Sequence, residues 1–234
     1  MVREVAAIMD GRAPLLAGVG RGLRDACRLA SASAAAGATA LMVHQPPDPF
    51  VSPRGTVDYL KAIAEAGGGL PLMLYLRNDT MGTAAIADLC AVEGVKGIKW
   101  ATPNPLNLAA AIDACDPSLT WVAGLAEVWA PPLYAVGARG FTSGLINVWP
   151  ERSVAIHAAL AAGDYETANT LIAGMRAFED IRAEEQNGTN VTGVKAALIA
   201  QGHDCGPTRA PSAWPLTAPQ QKQLDAFMAA NGLN

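Results

Sequence analysis

The sequence has 234 residues, of which 51% are hydrophobic and 16% are charged, and its formal net charge is −4 at pH 7. This composition excludes a largely disordered chain and is sufficient for one or two buried cores. The slightly acidic balance and the lack of a Lys/Arg run argue against a nucleic-acid or membrane surface, and no apolar run reaches the roughly 18 residues of a spanning helix. A small molecule is therefore the expected partner.

The N-terminus lacks the apolar run and cleavage site of a signal peptide, so a cytoplasmic protein is expected. The four cysteines, at positions 27, 90, 115 and 205, stand far apart, without a CxxC or a nearby pair of histidines. This spacing predicts neither a disulfide framework nor a zinc site.

Short apolar runs alternate with Ala-rich segments of helical spacing as far as residue 145, after an initial stretch, 1–10, that resembles the end of a helix. The runs predict strands at 14–18, 39–45, 70–77, 95–101, 119–124 and 139–145. The segments between them predict helices at 22–37, 54–67, 80–92, 105–114 and 126–137. Because a helix separates successive strands, the strands must be parallel.

From residue 150 onward the pattern predicts helices alone, at 151–162, 165–186, 191–201 and 217–231. We therefore expect a partial barrel over 1–150 and a C-terminal helical domain over 151–234. A closed barrel of eight βα units takes about 250 residues, and six units here occupy about the first 150, so two units are expected to be missing at the front. An open doubly wound sheet fits the same count, but the sequence has neither a GxGxxG motif nor a P-loop.

Lys99 is the unusual residue of the strand predicted at 95–101. It lies an odd number of residues after Lys96, so the two side chains point to opposite faces of a regular strand. A lysine near the carboxyl end of a barrel strand points into the mouth where active sites form, and burial would free its amine to attack a carbonyl. The alternative is a lysine that snorkels to water or pairs with a carboxylate.

Tyr75 stands near the end of the preceding predicted strand. A phenol beside a Schiff base can carry protons to and from the substrate. The alternative is a half-buried core tyrosine whose hydroxyl bonds to the backbone.

The order of several short motifs resembles the dihydrodipicolinate synthase/N-acetylneuraminate lyase family over essentially the whole chain. The motifs are Pro14-Leu15-Leu16-Ala17-Gly18-Val19-Gly20, Gly37-Ala38-Thr39-Ala40-Leu41-Met42-Val43 with Pro46-Pro47, Leu74-Tyr75-Leu76-Arg77-Asn78, Gly97-Ile98-Lys99, Gly137-Ala138-Arg139-Gly140-Phe141-Thr142-Ser143 with Asn147 and Pro150, and Ala161-Ala162-Gly163-Asp164.

The resemblance implies a (β/α)₈ TIM barrel, N-terminally incomplete, with a C-terminal helical domain, usually assembled as a homotetramer. It also implies a class I aldolase mechanism on a 2-oxo acid such as pyruvate, with Lys99 as the Schiff-base lysine and Tyr75 as the proton shuttle, and with neither a metal nor an organic cofactor. The family's Gly-Thr-Thr-Gly-Glu-like loop, which holds the substrate carboxylate, is absent from the sequence.

The resemblance leaves the reaction open between aldol cleavage or addition and dehydration. The arginine that dihydrodipicolinate synthases carry shortly after the tyrosine is replaced by Asp79 and Thr80. The alternative branch, that of 5-dehydro-4-deoxyglucarate dehydratases, resembles the chain in Arg77-Asn78, in Gly124-Leu125-Ala126-Glu127 and in the segments 181–182 and 191–196, and departs from it at Trp100-Ala101-Thr102. A further alternative is a non-catalytic, truncated homologue.

Four more residues are predicted to bind substrate, each with a structural alternative. Arg77 would bind an anion or cap a helix, and Glu127 would act on a substrate hydroxyl or favour a helix N-terminus. Thr142 and Ser143 would hydrogen-bond a carboxylate or simply end a strand. His44 faces the barrel mouth in this arrangement, but a lone histidine more often has a structural role.

Overall fold

A computed structural model describes residues 1–48 and 50–233. The chain forms two compact units, one made of 1–124 and 136–139 and the other of 125–135 and 140–234. The predicted division into domains at residue 150 stays a prediction.

The first unit alternates strands with helices. Its strands are β1 (Leu16–Val19), β2 (Ala40–His44), β3 (Leu72–Leu76), β4 (Val95–Trp100) and β5 (Thr120–Ala123). Its helices are α1 (Val2–Met9), α2 (Leu23–Ala35), α3 (Pro53–Ala66), α4 (Thr83–Cys90) and α5 (Pro105–Asp113). The predicted βα repeat is confirmed, with boundaries shifted by a few residues.

Strands β1 to β5 pair side by side in chain order, and every pair is parallel. The registers are regular except for one irregularity between Leu72 and Met73. Parallel order in the sheet follows from the intervening helices, since each connection returns the chain to the same end of the sheet.

Polar residues before two of the helices fix where those helices begin. The Ser52 hydroxyl accepts a hydrogen bond from the Gly55 amide at 3.0 Å, and the Asn104 side-chain oxygen accepts one from the Asn107 amide at 3.1 Å. Both helices carry proline in the first turn. These are the residue types that satisfy the free amide groups at a helix start.

The core of this unit consists of apolar strand and helix residues with almost no exposed surface. Trp100 and Ile98 of β4 have no exposed surface, and the Trp100 ring lies 6.2 Å from the ring of Trp121 on β5. Lys99 thus lies between two fully buried residues of β4.

The second unit is mainly helical. It contains α6 (Ala126–Ala135), the short strand β6 (Gly140–Phe141), a 3₁₀ turn (Leu145–Asn147), α7 (Pro150–Ala161), α8 (Tyr165–Ala173), α9 (Arg176–Asn187), α10 (Asn190–Ala200) and α11 (Ala218–Ala230). The helices predicted beyond residue 150 are confirmed in type and approximate extent, apart from 165–186.

Two sequence-based predictions in this unit are wrong in detail. The helix predicted at 165–186 is two helices, because the chain leaves the helix at Gly174, a residue of low helix propensity. The strand predicted at 139–145 ends at Phe141, because the Ser143 hydroxyl accepts a hydrogen bond from the Leu145 amide at 2.8 Å and starts the 3₁₀ turn.

None of the helices in the described residues is long and apolar enough to cross a membrane.

Candidate active site

Three polar side chains stand in one row across neighbouring strands. His44 at the end of β2 lies opposite Tyr75 of β3, and Tyr75 lies opposite Lys99 of β4. All three are at or next to the carboxyl ends of parallel strands, the edge where the active sites of such folds form. The sequence-predicted pair Lys99 and Tyr75 is therefore brought together, and His44 joins it.

The Lys99 ammonium lies over the ring of Tyr75, with Nζ 4.2 Å from the ring centre. This is a cation–π contact distance. Lys99 is partly buried, whereas Lys96 on the same strand is exposed. The two lysines of this strand thus have different surroundings.

Burial lowers the pKa of Lys99 below its ordinary value, and the positive charge of Arg77 lowers it further. A lower pKa increases the fraction of lysine present as free amine at neutral pH. The free amine is the form that attacks a carbonyl carbon, so the environment of Lys99 favours Schiff-base chemistry.

Gly124, directly after β5, leaves room for the stem of Lys99. A Cβ at this position would lie 3.0 Å from the Lys99 Cγ, 2.8 Å from the Ala101 Cβ and 2.8 Å from the Trp100 carbonyl oxygen. The Gly124 amide donates a hydrogen bond to that same carbonyl at 2.6 Å. Any larger residue here would push on backbone atoms and displace Lys99.

Arg77 follows β3 and is exposed, with its guanidinium carbon 6.0 Å from the centre of the Tyr75 ring. The side-chain oxygen of Gln45 accepts hydrogen bonds from the amides of Arg77, at 2.7 Å, and of Asn78, at 3.1 Å. These bonds join the loops that follow β2 and β3. The positive charge of Arg77, near Tyr75 and Lys99, attracts anions.

A cavity of about 320 Å³ lies at these two loops. That volume is in the range of small-molecule sites, but neither Lys99 nor Tyr75 is among the described residues that line the cavity. Its described lining is part polar and part apolar, comprising Gln45, Pro46, Asp48, Val51, Pro53, Thr56, Asn78, Thr80 and Met81.

From the sequence, neither Gly124 nor Gln45 is expected at this site, and His44 is expected at the barrel mouth in a structural role. The signal for His44 is its place at the end of the predicted strand 39–45, one strand before Tyr75. Choosing it required the register between the strands, which the spacing of residues does not give. The need for glycine at position 124 depends on the packing of three strand-end residues and has no local signature.

The other three predicted site residues belong to the second unit. Thr142 and Ser143 follow β6, and Ser143 accepts the Leu145 amide, which leaves its hydroxyl hydrogen available to an acceptor. Glu127 lies in the first turn of α6 with no exposed surface, and the Ser153 hydroxyl donates to its Oε1 at 2.5 Å. A substrate would have to displace neighbouring groups to reach Glu127, so its surroundings favour a structural role.

Within residues 1–48 and 50–233, no three His, Cys, Asp or Glu side chains are grouped so that they could hold a metal ion.

Comparison with known proteins gives a consistent result. The model of the dihydrodipicolinate synthetase family matches residues 1–231. The chain is 30% identical over 229 residues to a 4-hydroxy-tetrahydrodipicolinate synthase of Maridesulfovibrio salexigens, covering 95% of this chain and 76% of that protein. It is 34% identical over 221 residues to a Streptomyces coelicolor protein named "Probable 5-dehydro-4-deoxyglucarate dehydratase 2", covering 93% of this chain and 67% of that protein.

Among solved structures, the crystal structure of dihydrodipicolinate synthase from Oceanobacillus iheyensis superposes with a TM-score of 0.93 at 31% sequence identity. The match covers 100% of this chain and 78% of that one. This similarity, together with the parallel strands of the first unit, confirms the expected fold class at the level of an incomplete (β/α) barrel accompanied by a helical part.

Proposed function

The chain belongs to the dihydrodipicolinate synthetase family, and from that premise we propose that it is a lyase in which Lys99 forms a Schiff base with a 2-oxo acid. The observation that carries this proposal is the position of the Lys99 amine, 4.2 Å from the centre of the Tyr75 ring and partly withdrawn from water. Its lowered pKa supports the role of nucleophile.

The proposed reaction begins with attack of the neutral Lys99 amine on the C2 carbonyl carbon. Loss of the carbonyl oxygen as water leaves an iminium ion, which withdraws electrons from C3. Tyr75, whose ring contacts the amine, donates a proton to the departing oxygen, recovers a proton from its surroundings, and then exchanges protons with the substrate. Arg77 supplies a positive charge near these groups, which suits the carboxylate of a 2-oxo acid.

The predicted contributions of Thr142, Ser143 and Glu127 to substrate binding, and a homotetrameric assembly, stay predictions. Thr142 and Ser143 retain hydroxyl groups suited to a carboxylate, and Glu127 is disfavoured by its complete burial.

We expect pyruvate with sodium borohydride to leave a reduced three-carbon adduct on Lys99, because the reductant fixes the iminium as a secondary amine. Peptide mapping by mass spectrometry identifies the modified lysine. Lys96 and Lys61, both exposed, serve as internal controls for non-specific modification. Modification of those lysines with Lys99 unmodified would contradict the proposal.

Replacing Tyr75 with phenylalanine is expected to lower turnover by roughly 10²-fold, the usual scale for an acid–base group. The ring that contacts Lys99 is retained, so the adduct with pyruvate and borohydride still forms. The measurement is the rate at which the methyl hydrogens of pyruvate exchange with deuterium oxide, followed by proton NMR. An unchanged rate would return Tyr75 to the role of a packing residue.

Dehydration of a sugar acid is the second candidate reaction, and the similarity to the Streptomyces coelicolor protein supports it. The same iminium makes the C3 hydrogen acidic, and its loss can be followed by departure of a neighbouring hydroxyl as water. Assays with 5-dehydro-4-deoxyglucarate, and with pyruvate plus an aldehyde, separate the candidates. Formation of a dehydrated product in the first assay without a new carbon–carbon bond in the second selects the dehydratase.

A further inference from the structure

His44 has a place in the Lys99 site that its isolation in the sequence does not suggest. Its imidazole ring lies edge to face with the Tyr75 ring, with centres 4.7 Å apart and planes at 73°. In the row across the strands, Tyr75 stands between His44 and Lys99. The phenol therefore has the amine on one neighbouring strand and the imidazole on the other.

The end of β1 leaves space for the imidazole. A Cβ on Gly18 would lie 3.6 Å from the His44 Nε2, and a Cβ on Gly20 would lie 3.1 Å from the His44 Cβ. A longer side chain at either position would compete with the ring. The two glycines of Gly18-Val19-Gly20 thus leave the space that the His44 side chain occupies.

Partial burial and neighbouring positive charges both favour the neutral form of His44. Partial removal of water from the ring lowers the pKa of His44, and the positive charges of Lys99 on β4 and Arg77 after β3 lower it further. The residues against it at the end of β1 and directly after it are Gly18 and Gly20, and Tyr75 is the titratable group that faces it on β3. A neutral imidazole has one nitrogen ready to accept a proton.

A phenol cannot take up a substrate proton unless it gives its own away, because its neutral oxygen is a very weak base. Within the described residues, the Tyr75 hydroxyl has no hydrogen-bond partner, so a group of suitable basicity must come from its surroundings when substrate is bound. Of its two neighbours in the row, Lys99 is consumed in forming the imine. His44 is the remaining base.

We propose that His44 is the proton-transfer partner of Tyr75, an inference that rests on the proposed Schiff-base function. When the imine has formed on Lys99, the C3 hydrogen passes as a proton to the Tyr75 oxygen while the Tyr75 hydroxyl proton passes to an imidazole nitrogen. The C3–H electron pair becomes the C2–C3 double bond of the enamine, and the iminium nitrogen is neutralised. The reverse transfers return a proton to C3.

Exposure distinguishes His44 from the other two residues. Tyr75 and Lys99 are partly buried, whereas His44 is exposed. The imidazolium formed in this step can therefore exchange its proton with bulk water, which the phenol is less able to do. His44 thus provides a path for protons between the partly buried Tyr75 and the solvent.

The test uses the full chain and pyruvate as the probe. In deuterium oxide at saturating pyruvate, His44→Asn is expected to lower the rate of methyl hydrogen exchange by roughly 10²-fold, while borohydride still traps the adduct on Lys99. The matched control is His203→Asn, at an exposed position of the second unit, which is expected to retain the wild-type rate.

The pH profile gives a readout that packing alone does not affect. At saturating pyruvate Lys99 is already in the imine, so the wild-type exchange rate is expected to fall at acid pH as the imidazole is protonated, with a midpoint below 6.5. His44→Asn is expected to lose this acid limb, and added free imidazole is expected to restore part of the rate. His44→Phe, which keeps a ring in contact with Tyr75, is expected to be as slow as His44→Asn.

The outcomes separate this inference from the function on which it depends. Wild-type protein that gives neither adduct nor exchange overturns the Schiff-base function and the role of His44 together. A normal adduct with exchange and an acid limb unchanged in His44→Asn overturns the role of His44 alone. Full activity in His44→Phe with loss in His44→Asn also overturns it, since ring packing would then be sufficient.

Discussion

Replacing Lys99 with methionine is expected to abolish the adduct with pyruvate and to lower the rate of methyl hydrogen exchange by at least about 10⁴-fold, the scale found when a covalent nucleophile is removed. Methionine keeps most of the length of the lysine stem, so the packing beside Gly124 is retained. The loss therefore reports the missing amine and not a collapsed site. Proton NMR in deuterium oxide measures the exchange.

Lys96→Met is the matched control, because Lys96 lies on the same strand and is exposed. It is expected to keep both the adduct and the exchange rate. If Lys99→Met retained exchange within tenfold of the wild type, another amine or a non-covalent mechanism would have to carry the reaction.

Replacing Arg182 with methionine is expected to lower the free energy of unfolding by about 3–5 kcal/mol, the range for breaking a buried ion pair from one side. Arg182 and Glu179 form an ion pair on α9 in which the two side chains are 8% and 11% exposed. The guanidinium also donates to the backbone oxygen of Asn190 at 3.3 Å and to its side-chain oxygen at 2.9 Å. It lies directly against Gly144, where a Cβ would overlap it.

The decrease in the free energy of unfolding caused by Arg182→Met is expected to depend on pH. Burial raises the pKa of Glu179, Arg182 opposes that rise, and the carboxylate of Glu127 adds to it. A carboxyl group whose pKa is raised in the folded state costs stability as the pH rises from the unfolded value through the folded one. Removing Arg182 raises the folded pKa further, so the loss is expected to be larger at pH 7 than at pH 4.5.

Urea unfolding followed by circular dichroism measures this difference, with Arg176→Met as the control because Arg176 is an exposed residue of the same helix. The double variant Glu179→Gln/Arg182→Met leaves no buried charge at the pair and is expected to recover more than half of the loss. Equal losses in Arg176→Met and Arg182→Met would show that the buried pair contributes nothing specific.

The repeated βα pattern of the first unit could be read from the sequence, because the apolar runs are short, evenly spaced and separated by Ala-rich helices. The position of Lys99 near the carboxyl end of β4 and of Tyr75 at the corresponding place in β3 followed from the same spacing. Both depend on local periodicity and on the single topology that parallel strands with intervening helices allow. Their proximity is therefore a property of chain order.

Two predicted element boundaries were wrong. In both segments, a short-range interaction ends the strand or helix that the residue pattern favours. Residues 139–145 have the composition of a strand, but the Ser143 hydroxyl accepts a hydrogen bond from the Leu145 amide, and the chain turns there. The segment 165–186 has helical spacing throughout, but the chain reorients at Gly174. Propensity alone does not decide such cases, because tertiary packing outweighs it.

By itself, the sequence determined the order of the elements, the family and the two residues at the centre of the proposed chemistry, since these depend on spacing along the chain. Only the tertiary structure decided the surroundings of residues whose neighbours lie far away in sequence. Register placed His44 against Tyr75, close packing made Gly124 necessary beside Lys99, and helix packing buried Glu127 against the Ser153 hydroxyl. Each of these outcomes follows from distances across strands or helices, which no local pattern encodes.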